Sequence, residues 1–152
     1  FGGTPPKDPP DLGVECLYTG TIEDDNRLAA LYAAADVFVA PSIQENLSNT
    51  VMEDLACGTP CVAFDIGGMP DMSEHRRNGY LARPFDAADL AEGIRWILED
   101  DQRRKELSSR ARQKVLDEFA MPVVARRHLE LYRRILEPLE HQARPQSSGI
   151  LR

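Results

Sequence analysis

Residues 36–64 read DVFVAPSIQENLSNTVMEDLACGTPCVAF, and this stretch decides the fold class. A mainly apolar run at 36–40 ends at Pro41, which is typical of a buried strand. A polar loop then leads into a helix predicted from about Ser48 to Cys57, and a second apolar run follows at 60–64. A strand, a helix and a strand of these lengths form a βαβ unit, which predicts an α/β domain with a parallel sheet.

The alternation of strands and helices continues on both sides of this unit. Before it we predict a strand at 14–19 and a helix whose N-cap is Asp24 or Asp25. After it the predicted elements are a helical turn near 71–75, a strand at 80–83 and three helices at 87–98 (N-cap Asp86), 101–119 and 122–140. The chain is therefore expected to end in helices, with a flexible tail at 141–152.

The composition excludes several classes of protein. The 152 residues suffice for one domain, and 18 Lys and Arg against 25 Asp and Glu give a net charge of -7. That balance lacks the broad positive field of a nucleic-acid-binding protein, so no nucleic-acid partner is expected. No apolar run approaches the roughly 20 residues that span a bilayer. Three cysteines without a CxxC motif indicate a reducing cytosol.

The loop after the strand at 36–40 carries the most informative polar residues. In open parallel sheets, ligands bind beyond the carboxyl ends of the strands. Here the loop runs into the N-terminus of the predicted helix, where free backbone N–H groups and the helix dipole favour a phosphate or a diphosphate. The candidate donors are Asn46, Leu47, Ser48 and Asn49. No P-loop and no GxGxxG motif is present, which argues against an NTPase or a dinucleotide site.

Two carboxylates, Glu45 and Glu53, flank these amides. On a helical wheel Glu53 lies at the edge of a buried face predicted to consist of Val51, Met52, Leu55 and Ala56. A carboxylate there can accept hydrogen bonds from the vicinal hydroxyls of a ribose, and Glu45 can do the same for hydroxyls on the group that the phosphate carries. Spacing alone leaves open that both are solvated surface carboxylates.

Residues 35–72, together with their flanks, resemble the retaining GT-B glycosyltransferases of family 4. The resemblance extends from about Gly20 to Asp100. The motifs that carry it are Pro41-Ser42, the pair Glu45 and Glu53, the Ala-Cys-Gly-Thr-Pro turn at 56–60, Gly67-Gly68 and Asn78-Gly79. It implies a Rossmann-like parallel sheet with helices on both faces, the C-terminal domain of the GT-B fold truncated at its N-terminal side. Residues 1–140 would then form the nucleotide-sugar-binding domain.

The resemblance also implies a role for each residue of the site. Glu45, the candidate catalytic residue, contacts the donor sugar, and Glu53 contacts the ribose. The amides of Asn46, Leu47 and Ser48 hold the diphosphate, while Gly20, Thr21 and Ile22 seat the base. The sequence provides no reason to call either glutamate a nucleophile.

Two departures from the family pattern are visible. The family commonly has Ala after the second glutamate, whereas this chain has Asp54, an extra charge that we expect on the far flank of the helix. The basic Arg and Lys pair of the family lies upstream of the residues present here, as does the N-terminal acceptor domain. The resemblance therefore implies that these residues alone do not catalyse transfer.

The predicted function is the donor-binding part of a glycosyltransferase that moves a sugar from a nucleotide diphosphate sugar to a saccharide or lipid-linked acceptor. Neither a cofactor nor a metal is expected, because no DxD motif or histidine cluster is present. A cytoplasmic location, with peripheral contact at the inner face of the membrane, would suit such a reaction. A nucleotide-sugar epimerase of similar fold and a non-catalytic binding module remain the alternatives.

Overall fold

The computed structural model describes the backbone of residues 2–4 and 6–143 and the side chains as far as residue 136. The chain divides after Val115 into two compact units. Among the described residues, the first unit contains the sheet and five helices, and the second contains one long helix.

The first unit is built on a parallel sheet of three short strands. These are β1 (Phe38–Ala40), β2 (Cys61–Phe64) and β3 (Gly79–Ala82), paired in the order β1-β2-β3. The register places Val39 opposite Val62, and Val62 opposite Tyr80. The predicted α/β class with a parallel sheet is confirmed.

Four of the helices begin at a side chain that caps them. The helices are α1 (Asp25–Ala34), α2 (Asn49–Ala56), α3 (Met69–Met72), α4 (Ala87–Leu98), α5 (Asp101–Lys114), a π-helical turn (Val115–Phe119) and α6 (Met121–Ala143). The side chains of Asp24, Ser48, Asp86 and Asp100 accept backbone N–H groups from the first turns of α1, α2, α4 and α5. Each cap satisfies donors that would otherwise be unpaired, which is why these four helices start there.

The sheet and the helices after it enclose the main hydrophobic core. Val62 and Phe64 of β2 and Tyr80 of β3 pack with Ile97 of α4 and Leu107 of α5. Helix α2 packs against β1 and β2 instead, and α1 packs against α2. This packing holds the loop between β1 and α2 at the carboxyl end of the sheet.

The strand predicted at 14–19 is wrong. The segment forms no strand, and its apolar side chains Val14 and Leu17 are 72% and 84% exposed. A strand needs a neighbour to complete its hydrogen bonds, and within the described residues no other strand pairs with this segment. Apolar composition alone does not supply that neighbour.

Other boundaries differ by a few residues. The helical turn expected near 71–75 begins at Met69, and α6 continues past 140 to Ala143. The rest of the expected tail, 144–152, lies outside the described residues. Among the residues that are described, no helix combines the length and the apolar character needed to cross a bilayer.

Candidate functional site

The loop between β1 and α2 ends in a well-formed helix start. Ser48 is buried and its Oγ accepts the backbone N–H of Val51 at 3.4 Å. The same Oγ lies 3.0 Å from the hydroxyl of Thr50. The backbone of Ser48 is extended, so the chain turns into α2 directly at this residue. The N-terminus of α2 is therefore presented at the carboxyl end of the sheet.

Three of the four predicted phosphate donors are available. The backbone N–H of Asn46 donates to Oε1 of Glu45 at 3.1 Å. In the described part of the chain, the backbone N–H groups of Leu47, Ser48 and Asn49 have no hydrogen-bond partner. Unpaired amides at the positive end of a helix dipole can bind an anion.

The turn after β2 packs against this loop. A Cβ on Gly67 would lie 1.8 Å from the backbone oxygen of Glu45, and one on Gly68 would lie 1.9 Å from that of Asn46. Gly67 also has a positive φ of 51°. Glycine is therefore required at both positions because two loops approach each other closely through their backbones. From the sequence alone, a close approach to the donor or a tight turn would explain the two glycines equally well.

Glu53 lies on the exposed side of α2, facing α1. Its Oε2 accepts a hydrogen bond from the hydroxyl of Tyr32 at 3.1 Å. Both residues line a cavity of about 320 Å³ between α1 and α2, together with Asp25, Leu28, Ala29, Ala56 and Cys57. Burial, followed by the hydrogen bond to Glu53, raises the pKa of Tyr32, so its phenol stays protonated and donates.

Asp54 does not lie on the far flank of α2 but on its buried face, so that expectation is wrong. Its side chain is fully buried, and neither carboxylate oxygen has a hydrogen-bond partner within the described residues. The buried face of α2 consists of Val51, Asp54 and Leu55, whereas Met52 and Ala56 are only half-buried. Desolvation raises the pKa of Asp54 to about 8. The spacing of three and four residues from Val51 was the signal that could have identified it.

The predicted base-binding residues lie in the loop that precedes α1. Thr21 and Ile22 line a cavity of about 630 Å³ with Thr19, Glu23, Asp24, Arg27, Ala30 and Leu31. That side of α1 differs from the one that carries Tyr32 toward Glu53. Gly20, with a φ of 66°, adjoins the same loop. The structure therefore brings Glu45 and the amides together but does not place Gly20, Thr21 and Ile22 in one cavity with Glu53.

No other cluster with obvious chemistry occurs in the part of the chain that the structure describes. Within it, no three His, Cys, Asp or Glu side chains come together as a metal site would require. Cys16, Cys57 and Cys61 are unpaired. Burial raises the pKa of both Cys57 and Cys61, which keeps them as thiols.

Comparison with known sequences identifies related proteins. Residues 11–114 match the model of the family described as glycosyl transferases group 1. The alpha-maltose-1-phosphate synthase of Mycolicibacterium smegmatis is 33% identical over 117 residues, which are 72% of this chain and 30% of that protein. The sulfoquinovosyl transferase SQD2 of Arabidopsis thaliana is 36% identical over 66% of this chain and 20% of its own length. The chain thus spans less than a third of these two relatives.

Solved structures with a similar fold are GT-B glycosyltransferases. Sucrose-phosphate synthase from Thermosynechococcus elongatus superimposes with a TM-score of 0.72 at 34% identity, covering 80% of this chain and 30% of that one. Anabaena HepE in complex with UDP-glucose gives a TM-score of 0.66 at 28% identity, covering 74% and 30%. These similarities support the transferase interpretation over the epimerase one.

Proposed function

The chain belongs to the glycosyl transferases group 1 family, and on that premise we propose that it is the donor-binding part of a retaining glycosyltransferase of family 4. The reaction of the whole protein would move a sugar from a nucleotide diphosphate sugar to a saccharide or lipid-linked acceptor. The structurally similar HepE was crystallised in complex with UDP-glucose, which supports a nucleotide sugar as the donor.

One observation carries this proposal: three unpaired amides at the start of α2 are flanked along the chain by two carboxylates. The N–H groups of Leu47, Ser48 and Asn49 point to an anion. Bound there, the diphosphate would lie at the positive end of the α2 dipole, which stabilises the negative charge that develops as the sugar leaves. Glu45 and Glu53 lie before and behind these donors.

The remaining roles are those that the resemblance to family 4 implies. We assign Glu45 to the donor sugar, Glu53 to the ribose, and the loop 20–22 to the base. The amide of Asn46, which donates to Glu45 in this structure, becomes available to the diphosphate when Glu45 turns to the sugar. No metal or cofactor has a role in this scheme.

We place donor binding within residues 1–140 and acceptor binding in a separate N-terminal domain of the whole protein. Three unpaired cysteines support a cytoplasmic location, since such thiols are typical of a reducing compartment. A lipid-linked acceptor would require peripheral contact with the inner face of the membrane.

The proposal is tested by removing one amide without disturbing the helix. Asn49 is the first residue of α2, where proline is tolerated because its missing N–H would be unpaired in any case. The preceding Ser48 has the extended backbone, φ −77° and ψ 114°, that proline requires of its neighbour. Asn49→Pro in the full-length protein should weaken binding of UDP, GDP or ADP, measured by calorimetry, by about 10-fold or more.

The matched control is Asn49→Ala, which loses the side chain but keeps the amide. It should bind the same nucleotide within about 3-fold of wild type. If Asn49→Pro folds normally and retains wild-type affinity, the diphosphate does not lie on the α2 amides and the proposed site is wrong.

A further inference from the structure

Tyr32 is fixed in place at both its backbone and its ring. Its side chain is only 2% exposed, and the ring meets that of Phe38 edge-on, with centroids 5.7 Å apart. Its backbone carbonyl accepts the hydroxyl of Thr59 at 2.7 Å and the amide of Ala35 at 3.0 Å. Thus α1 is held to the chain just before β2, and the Tyr32 hydroxyl has little freedom to move.

Glu53, in contrast, is an exposed residue of α2. A glutamate on a helix surface populates many rotamers, and fixing it in one of them costs conformational entropy. The hydrogen bond from Tyr32 to Oε2 at 3.1 Å restricts this freedom before any ligand binds. The other carboxylate oxygen, Oε1, has no hydrogen-bond partner among the described residues.

The neighbouring carboxyl does not compete for this role. Asp54 follows Glu53 directly but is buried, with no hydrogen-bond partner in the described residues. The Tyr32 hydroxyl donates to Glu53 and not to Asp54. The carboxyl groups that line the cavity between α1 and α2 are those of Glu53 and Asp25, and it is Glu53 that accepts the Tyr32 hydroxyl.

We propose that Tyr32 is the positioning residue for Glu53, holding one carboxylate oxygen so that the other meets the ribose hydroxyls of the donor. This inference rests on the proposed function of Glu53. Tyr32 itself does not touch the donor. Its contribution is to present the carboxylate already oriented, which reduces the entropy lost on binding.

The test compares nucleotides with and without ribose hydroxyls in the full-length protein. Whichever of UDP, GDP and ADP binds wild type most tightly is titrated by calorimetry beside its 2′,3′-dideoxy analogue. Tyr32→Phe keeps the ring contact with Phe38 and removes only the hydroxyl. It should weaken the ribonucleotide by about 3- to 10-fold and leave the affinity for the dideoxy analogue unchanged.

Tyr80→Phe provides a matched control. Tyr80 is also a buried tyrosine whose hydroxyl donates to a carboxylate, Asp89, at 2.8 Å, but it packs in the core around β3 and α4. Tyr80→Phe should lower the melting temperature, as we also expect of Tyr32→Phe. It should not change the ratio of the two nucleotide affinities. If Tyr32→Phe also lowered the melting temperature without changing the ratio of the two affinities, the role of Tyr32 would be purely structural and the proposal would be wrong.

A double-mutant cycle distinguishes failure of this inference from failure of the proposed function. In a Glu53→Gln background, Tyr32→Phe should have no further effect on the affinity ratio. If wild type discriminates the two nucleotides and Glu53→Gln abolishes this while Tyr32→Phe does not, Tyr32 has no positioning role and Glu53 keeps its own. If wild type binds both nucleotides equally, or binds none, Glu53 does not contact the ribose and both proposals fall.

Discussion

The backbone of Gly67 lies against the backbone carbonyl of Glu45, so closely that a Cβ on Gly67 would be 1.8 Å from that oxygen. The turn after β2 thereby supports the loop after β1. The position of the Glu45 carboxylate and of the amides behind it depends on a contact with a distant part of the chain. The next residue, Gly68, makes the same kind of contact with Asn46.

Gly68→Ala should therefore displace the loop. Gly68 has a φ of −88°, which alanine adopts without strain, so the steric clash with the oxygen of Asn46 is isolated as the cause. We expect a loss of about 1–3 kcal/mol in the free energy of unfolding, measured by urea denaturation, and weaker binding of the nucleoside diphosphate. The control is Gly3→Ala, where a Cβ meets nothing within 4 Å. Equal stability and affinity of the two variants would show that the loop tolerates the added methyl group.

Asp54 should make stability fall as pH rises. The unfolded state loses this proton near its ordinary pKa of 3.8, whereas the folded state keeps it up to about 8. The folded state thus binds more protons between these values, and the free energy of unfolding decreases across that window by at most about 1.4 kcal/mol per pH unit. Asp54→Asn removes this titration, so its stability relative to wild type should increase from pH 4 to pH 8. A constant difference across the window would place the folded-state pKa of Asp54 near its ordinary value.

Asp89 should show the opposite dependence on pH. Its carboxylate accepts the backbone N–H of Arg83 at 2.8 Å, the hydroxyl of Tyr80 at 2.8 Å and Nε of Arg83 at 3.0 Å. These bonds, the backbone one foremost, lower its pKa to about 2. The stabilisation is present above the ordinary pKa of 3.8 and is lost as pH falls toward 2.

Asp89→Asn should accordingly lower the urea midpoint at pH 7 and reduce the difference from wild type as the pH approaches 2. The expected signature is convergence of the two proteins in acid. Curves that stay parallel down to pH 2 would mean that the charge of Asp89 does not contribute to stability.

Glu45→Ala should separate catalysis from nucleotide binding. The side chain is assigned to the donor sugar, and its removal leaves intact the backbone oxygen that contacts Gly67. We expect kcat of the full-length enzyme to fall by about 100-fold because the sugar is no longer positioned. The dissociation constant of the bare nucleoside diphosphate should stay within about 2-fold of wild type. An equal loss of affinity and activity would mean that Glu45 shapes the phosphate loop and does not contact the sugar.

Much of the fold was predictable because its signals are local. The caps Asp24, Ser48 and Asp86 act within three residues, so the starts of α1, α2 and α4 follow from short sequence patterns. The same holds for the apolar runs of β1 and β2, whose side chains are buried or half-buried. The segment 14–19 has a similar apolar pattern but is exposed, because a strand also depends on a partner that its own sequence does not specify.

The same distinction between local sequence and tertiary contacts applies to the candidate site. The sequence by itself determined that Glu45, the amides of 46–49 and Glu53 follow one another around a helix start, since this order is covalent. Only the tertiary structure decided that Gly67 and Gly68 support Glu45 and Asn46, that Tyr32 holds Glu53, and that Asp54 is buried. Each of these depends on which side of α2 faces the rest of the protein and on how close two loops approach. The orientation of α2 and the distance between the two loops are set by the simultaneous packing of several elements, so they cannot be predicted from any single segment of the sequence.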